Sequence, residues 1–215
     1  MAVKDTYQTI REPVTGSFRD RGSKFIGFAY PVTTEEQIRT CLALLKKQYH
    51  DAHHHCYAWA LGSDRSLYRM NDDGEPSGSA GKPIYGQILS KNLSDLLIVV
   101  VRYFGGTKLG IPGLIKAYRS TAMDALDKAE VVTRTMTITF RIQCGYHLLN
   151  EVMRMIRDND LTVTENRCDK DCLLTILVRE SQAEEIVAKF NRLYGISLSP
   201  VSPVSDAGSR PGNPF

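Results

Sequence analysis

Residues 99–119 read VVVRYFGGTKLGIPGLIKAYR. They run from a buried strand through a glycine-rich bend into a helix carrying basic side chains. The apolar run that feeds the bend extends from Leu96 to Tyr103. Such a run marks a strand covered on both faces. The helix is expected from about Pro112 or Gly113 to Ala129. Leu114, Ile115, Tyr118, Ala122, Ala125 and Leu126 fall on its buried side, and Pro112 suits the first helical position, where the missing N–H costs nothing. A strand covered on both faces and a helix that covers one of them define the layered core around which the rest of the chain is arranged.

Upstream of this segment lies a dense polar turn, NDDGEPSGSAGKP, at residues 71–83. Ile84 to Leu89 reads as a short helix. Before the turn, DAHHHCYAWAL (residues 51–61) reads as a strand whose period of two puts His53, His55, Tyr57 and Trp59 on one face. His54, Cys56, Ala58 and Ala60 then lie on the other. Ser66 to Met70 is its expected pairing strand. Thr33 with Glu36 has the form of a capping box, opening a helix whose inner face carries Ile38, Cys41, Leu42, Leu45 and Tyr49. Residues 5–32 alternate loosely and contain two or three strands, punctuated by Gly16 and Arg21-Gly22.

Beyond about residue 131 a second pattern begins. Strands over 135–143, 161–167, 173–179 and 196–201 enclose helices over 146–158 and from Ser181, which is expected as a cap with Glu184 as its box partner. The order is β-α-β-β-α-β, the ferredoxin-like arrangement. The expected organisation is therefore α+β, with an N-terminal domain over 1–131, a ferredoxin-like domain over 132–201 and a disordered Pro/Ser/Gly-rich tail over 202–215.

Composition fits a globular chain, with 42% hydrophobic and 24% charged residues. No run of about 18 apolar residues occurs, and the N-terminus has no apolar signal core, so neither a membrane partner nor secretion is expected. Five cysteines at irregular spacing, with Cys168 and Cys172 flanking a polar hairpin turn, suit reduced thiols in a cytoplasm. The net charge of +3 lies wholly within residues 1–130.

Three chemistries compete. The glycine bend leads into a helix N-terminus, a natural anion site. Lys82, Arg102, Gly105, Gly106, Lys108, Gly110, Lys116 and Arg119 are its candidate phosphate-binding residues, and no acid occurs from Arg102 to Arg119. Neither GxxxxGK[ST] nor GxGxxG is present, so no known nucleotide fingerprint is indicated; a tight strand-to-helix connection with solvated bases is the plain alternative. In the acidic turn, Asp72, Asp73 and Glu75 suit a hard cation such as Mg²⁺, or else a hydrogen-bonded turn. The histidine run with Cys56 suggests zinc or a thiol nucleophile, yet it lacks a second ligand pair and an acid to orient the base.

Taken together, DAHHHCYAWAL, DDGEPSGSAGKPI and VVVRYFGGTKLGIPGLIKAY resemble the YigZ/IMPACT family. The matching positions are His54, Ala58 and Trp59, then Asp72 to Pro76, Gly78 and Ala80 to Pro83. Arg102, Tyr103, Gly105, Gly106, Leu109, Gly110, Gly113, Leu114 and Lys116 to Tyr118 complete them. Pro112 stands where the family commonly has glycine, and Ser79 where threonine is common. The resemblance implies a first domain similar to ribosomal protein S5 domain 2, followed by a ferredoxin-like domain. It also implies a nucleic-acid or ribosome-associated binding protein linked to translation or its regulation. An enzyme acting on a phosphorylated small molecule is the alternative, with Asp72, Asp73, Glu75 and His54 as candidate catalytic groups and Mg²⁺ as the cofactor. A protein-interaction module is the third reading. The leading reading needs no cofactor or metal.

Overall fold

The computed structural model describes residues 5–201, so the expected disordered tail over 202–215 lies outside the described residues. The chain divides into two units, Thr6–Arg134 and a second that begins at Thr135 and includes Asp5. Both mix helix and strand.

The first unit is built on a five-stranded antiparallel sheet. Its strands are β2 (Val14–Asp20), β3 (Ser23–Pro31), β4 (His54–Leu61), β5 (Leu67–Asn71) and β6 (Leu96–Tyr103), in the order β2-β3-β6-β4-β5. The apolar run is thus the central strand, and alternate residues serve opposite layers. Leu96, Ile98 and Val100 pack with α2 (Gly81–Ser90) and α3 (Gly110–Asp127), while Leu97, Val99 and Val101 pack with α1 (Glu35–Gln48). Cys56, Ala58 and Ala60 of β4 join the first layer and Trp59 and Leu61 the second, as the period of two requires. Two further strands, β1 (Thr6–Ile10) and β7 (Val131–Thr135), form a separate ribbon. β7 extends past residue 131, where the sequence suggested a boundary.

The helix ends differ from expectation in informative ways. The cap of α1 is Thr34, whose hydroxyl accepts from Gln37 N at 3.3 Å, one residue later than the Thr33–Glu36 pair. Thr33 instead donates its N–H to Gln37 Oε1. The helix α3 begins at Gly110, so Pro112 is its third residue, not its first. Proline is still tolerated there because first-turn amides have no intrahelical acceptor.

The second unit contains β8 (Thr137–Gly145), α4 (Leu149–Asp158), β9 (Thr162–Cys168), β10 (Asp171–Arg179), α5 (Ala183–Phe190) and β11 (Ile196–Pro200). Its antiparallel sheet has the order β11-β8-β10-β9. Phe140, Ile142, Leu174, Ile176 and Val178 form the sheet side of a core completed by Val152, Ile156, Ile186 and Phe190. Ser181 does not cap α5. It lies in a short 3-10 turn, and its backbone N–H donates to the Asp5 carboxylate, which also accepts from its hydroxyl. A second correction concerns the thiols. Cys168 and Cys172 are joined as a disulfide, because the hairpin register sets them directly opposite with Cα atoms 4.1 Å apart. Cys41, Cys56 and Cys144 are free.

Candidate functional site

The acidic turn connects β5 to α2, and the glycine bend connects β6 to α3. Because α2 and α3 cover the same face of the sheet, the two connections meet. Their junction is Glu75. Its Oε1 accepts from the Arg102 guanidinium and, at 2.8 Å, from the Tyr118 hydroxyl. The Glu75 and Arg102 side chains are only 4% and 7% exposed, so this is an internal ion pair. The guanidinium also lies over the rings of Phe25 and Phe104, with its carbon 5.4 and 5.6 Å from the two ring centres. Its Nε has no hydrogen-bond partner among the described residues.

The other two carboxylates also serve the loop, Asp72 completely and Asp73, whose side chain is 34% exposed, in part. Asp72 accepts from the N–H groups of Gly78, Ala80 and Gly81 at 2.8, 3.0 and 2.8 Å. It thereby satisfies the first amides of α2, doing from within the loop what a cap residue does. Asp73 accepts from His55 N at 2.7 Å, and its own N–H donates to Asn71 Oδ1. A carboxylate already surrounded by N–H donors is poorly placed to surrender its lone pairs to a hard cation. The residues of the acidic turn therefore fit a structural turn better than a Mg²⁺ site.

Each histidine ties down a different segment. His55 donates from Nε2 to the Tyr49 carbonyl at 3.1 Å, and burial holds its pKa below the usual histidine value. His54 donates from Nδ1 to the Asp73 carbonyl at 2.8 Å, with Nε2 3.9 Å from Glu75 Oε1. His53 accepts from Phe104 N at 3.4 Å. The run that suggested zinc is divided among three backbone partners. The Cys56 sulfur lies 3.0 Å from the Asp72 carbonyl and 3.2 Å from the Tyr118 hydroxyl, and burial pushes the pKa values of thiol and phenol upward. A thiol kept protonated is a weak nucleophile.

Arg102 is therefore withdrawn from the set of residues expected to meet a phosphate. The remaining bases face solvent. Lys82 stands in the first turn of α2, Lys108 in the bend, and Lys116 and Arg119 one turn apart on the outer side of α3. None is in an ion pair among the described residues. Gly105, Gly106 and Gly110 are exposed, and α3 carries no side-chain cap and no acid in its first turn.

Three further bases escaped the sequence reading. The β2–β3 hairpin turns through Arg21-Gly22, both with positive φ, and presents Arg19, Arg21 and Lys24 to solvent around a hollow of about 380 Å³ that also contains Asp20. Its tip packs against the glycine bend. A Cβ on Gly105 would stand 1.9 Å from the carbonyl carbon of Gly22, so only glycine permits the approach. Nothing local in either segment announces this contact. Tyr118, read only as a core residue, was missed as the hydroxyl linking Glu75 to Cys56.

Known proteins are similar to this chain over much of its length. The IMPACT family member YvyE of Bacillus subtilis is 31% identical over 177 residues, covering 82% of each chain. The chain belongs to the IMPACT family. The Impact N-terminal domain itself matches residues 21–126, which contain the acidic turn, the glycine bend and the buried ion pair. The IMPACT family member YigZ of Escherichia coli is likewise 31% identical, over 82% of this chain and 88% of its own. A crystal structure described as a hypothetical protein, 27% identical, superposes with a TM-score of 0.70, covering 94% of this IMPACT family member and 100% of the other chain. The matched residues in these relatives thus extend beyond the Impact N-terminal domain into the second unit.

Proposed function

We propose that this IMPACT family protein binds RNA, ribosomal RNA included, through its phosphates. The contacts are made by Lys82, Lys108, Lys116 and Arg119 around the exposed glycine bend, extended by Arg19, Arg21 and Lys24. One observation carries the reading: Asp72 and Glu75 are turned inward onto amides, Arg102 and Tyr118, while the remaining bases face solvent unpaired among the described residues. Such a surface keeps a net positive field, with Asp20 offsetting only part of the charge at the β2–β3 hairpin. Phosphate contacts of this kind position a nucleic acid without reading its sequence. The protein works in the cytoplasm in connection with translation. In fold terms the first unit is S5 domain 2-like and the second ferredoxin-like, the latter supported by the β11-β8-β10-β9 antiparallel order.

The test is fluorescence anisotropy with a labelled single-stranded RNA across a salt series. Each phosphate neutralised contributes about −0.7 to the slope of log K against log salt. The Lys116→Glu/Arg119→Glu variant is expected to weaken binding and flatten that slope by about 1.4. Binding and slope both unchanged in the variant would refute the site.

A further inference from the structure

Three of the five cysteines stand side by side in the second unit, although the sequence scatters them over 29 positions, 144 to 172. On the β10 ladder, Cys172 is paired with Cys168 of β9 on one side and with Cys144 of β8 on the other. Residues directly opposite in an antiparallel sheet point to the same face. The three sulfurs therefore form one row across three adjacent strands, with Cys172 in the middle.

The two spacings in the row follow from the ladder. Cys168 and Cys172 are the close type of pair, with Cα atoms 4.1 Å apart. A central-strand residue whose close pair lies on one side directs its N–H and C=O to the other. Cys172 and Cys144 are therefore the hydrogen-bonded type, with Cα atoms about 5.5 Å apart. That Cα separation lies within the range a disulfide spans, and closing the bond requires the two Cβ atoms to approach from about 5.5 Å to about 4 Å. Cys172 is thus bonded to one neighbour and a small local shift away from the other.

The two ends of the row differ in exposure. Cys144 and Cys172 are 3% and 1% exposed, whereas Cys168 is exposed at the hairpin tip. Cys144 also lines an open hollow of about 340 Å³ with Gly145, Asp171 and Ile196. Burial and the neighbouring Asp171 charge raise its pKa, so the thiolate is its minor form and the exchange it starts is slow.

We propose that Cys144, Cys172 and Cys168 constitute a disulfide-exchange site that delivers a reactive thiol to the hairpin tip. The Cys144 thiolate attacks the sulfur of Cys172. The Cys144–Cys172 bond forms, the Cys172–Cys168 bond breaks, and Cys168 leaves as a thiolate that takes up the proton Cys144 gave up. No electrons are gained or lost, so no oxidant or reductant is needed. In one state the hairpin is clipped and the free thiol is buried. In the other the strands β8 and β10 are linked and the free thiol is in solvent, open to a low-molecular-weight disulfide or an electrophile.

Trypsin places the three cysteines on separate peptides, because Arg167 and Lys170 flank Cys168 and Arg154 follows Cys144. The full-length protein in its disulfide form is incubated with iodoacetamide at neutral pH without reductant, digested and mapped by mass spectrometry. The expected product carries carbamidomethyl on Cys168 together with a Cys144–Cys172 linkage. The Cys144→Ala variant is expected to lose the Cys168 label while keeping the Cys168–Cys172 linkage, with an unchanged circular dichroism spectrum verifying that it is folded. Alkylation of Cys144 with Cys168–Cys172 intact, or no labelling of any of the three, would overturn the proposal. So would Cys168 labelling that persists in Cys144→Ala.

Discussion

Replacing Glu75 by glutamine tests whether the ion pair beneath the glycine bend is as internal as its burial implies. The substitution keeps an oxygen for Tyr118 and for one guanidinium N–H but removes the charge that balances Arg102. At 4% and 7% exposure, neither side chain has water to fall back on. Arg102 has little else, since its Nε is already unpartnered and its remaining neighbours are the faces of Phe25 and Phe104. Breaking a buried pair by removing one partner costs about 3–5 kcal/mol. The retained oxygen puts Glu75→Gln at the lower end, about 3 kcal/mol. With a urea dependence of about 2 kcal/mol per molar, the midpoint falls by roughly 1.5 M. Trp59, the sole tryptophan, is buried in β4 of the same unit, so its fluorescence follows this unfolding transition. The Glu75→Gln/Arg102→Met double variant removes both charges and is expected to recover most of the loss. A single-variant loss below about 1 kcal/mol, the value of a solvated surface pair, would refute the reasoning.

Gly105→Ala forces a Cβ into the Gly22 backbone and is expected to lower the urea midpoint by the equivalent of about 3 kcal/mol, the upper end of overpacking costs. His55 has a folded-state pKa below its unfolded value of 6.5, so the unfolded chain binds its proton first. Its contribution to stability is fully present above about pH 6.5 and is lost as pH falls below that, an acid-side decline in the Trp59 midpoint that His55→Gln is expected to flatten. Pro112→Ala restores an amide to the first turn of α3 and is expected to raise RNA affinity roughly fivefold without changing the salt slope, because a neutral N–H donor releases no counterion. Anisotropy measured across the same salt series checks both parts.

The layers were legible because they obey simple periods. The Leu96–Tyr103 run could be nothing but a strand between two layers, and the alternation around Cys56 to Ala60 assigned each side chain to its correct face. The junction of the two loops was less legible. That Asp72 serves three amides of its own loop depends on the chain folding back between Asp72 and Gly81, which residue type alone does not specify. Arg102 was grouped with the surface bases because it sits in a basic sequence. Its burial follows from register, since it lies opposite His54 on β4 and Phe25 on β3. The cysteine row was invisible for the same reason: only strand pairing sets Cys144 beside Cys172. Helix starts shifted by one to three residues where two adjacent hydroxyls or a bend glycine competed for the terminus.

The two helix entrances of the site explain why its charges are sorted as they are. Both α2 and α3 begin after glycine-containing loops, and each exposes first-turn amides that require an acceptor. For α2 the acceptor is built in, because Asp72 reaches back to Gly78, Ala80 and Gly81. Its dipole is thereby neutralised inside the protein. For α3 no side chain serves, no acid stands in the first turn, and Lys108, Lys116 and Arg119 add positive charge around it. An enzyme that used the acids for base or metal chemistry needs at least one of them presented to a substrate, with a pKa and lone pairs free for it. Here Glu75 is closed off by Arg102 and Tyr118 and Asp72 by amides, which leaves Asp73 alone partly exposed among the three. The acids instead fix the β5–α2 loop and, through Glu75, anchor Arg102 and Tyr118 at either end of the glycine bend. That leaves the bend an exposed rim with bases around it, the surface to which the proposed function assigns phosphate contacts.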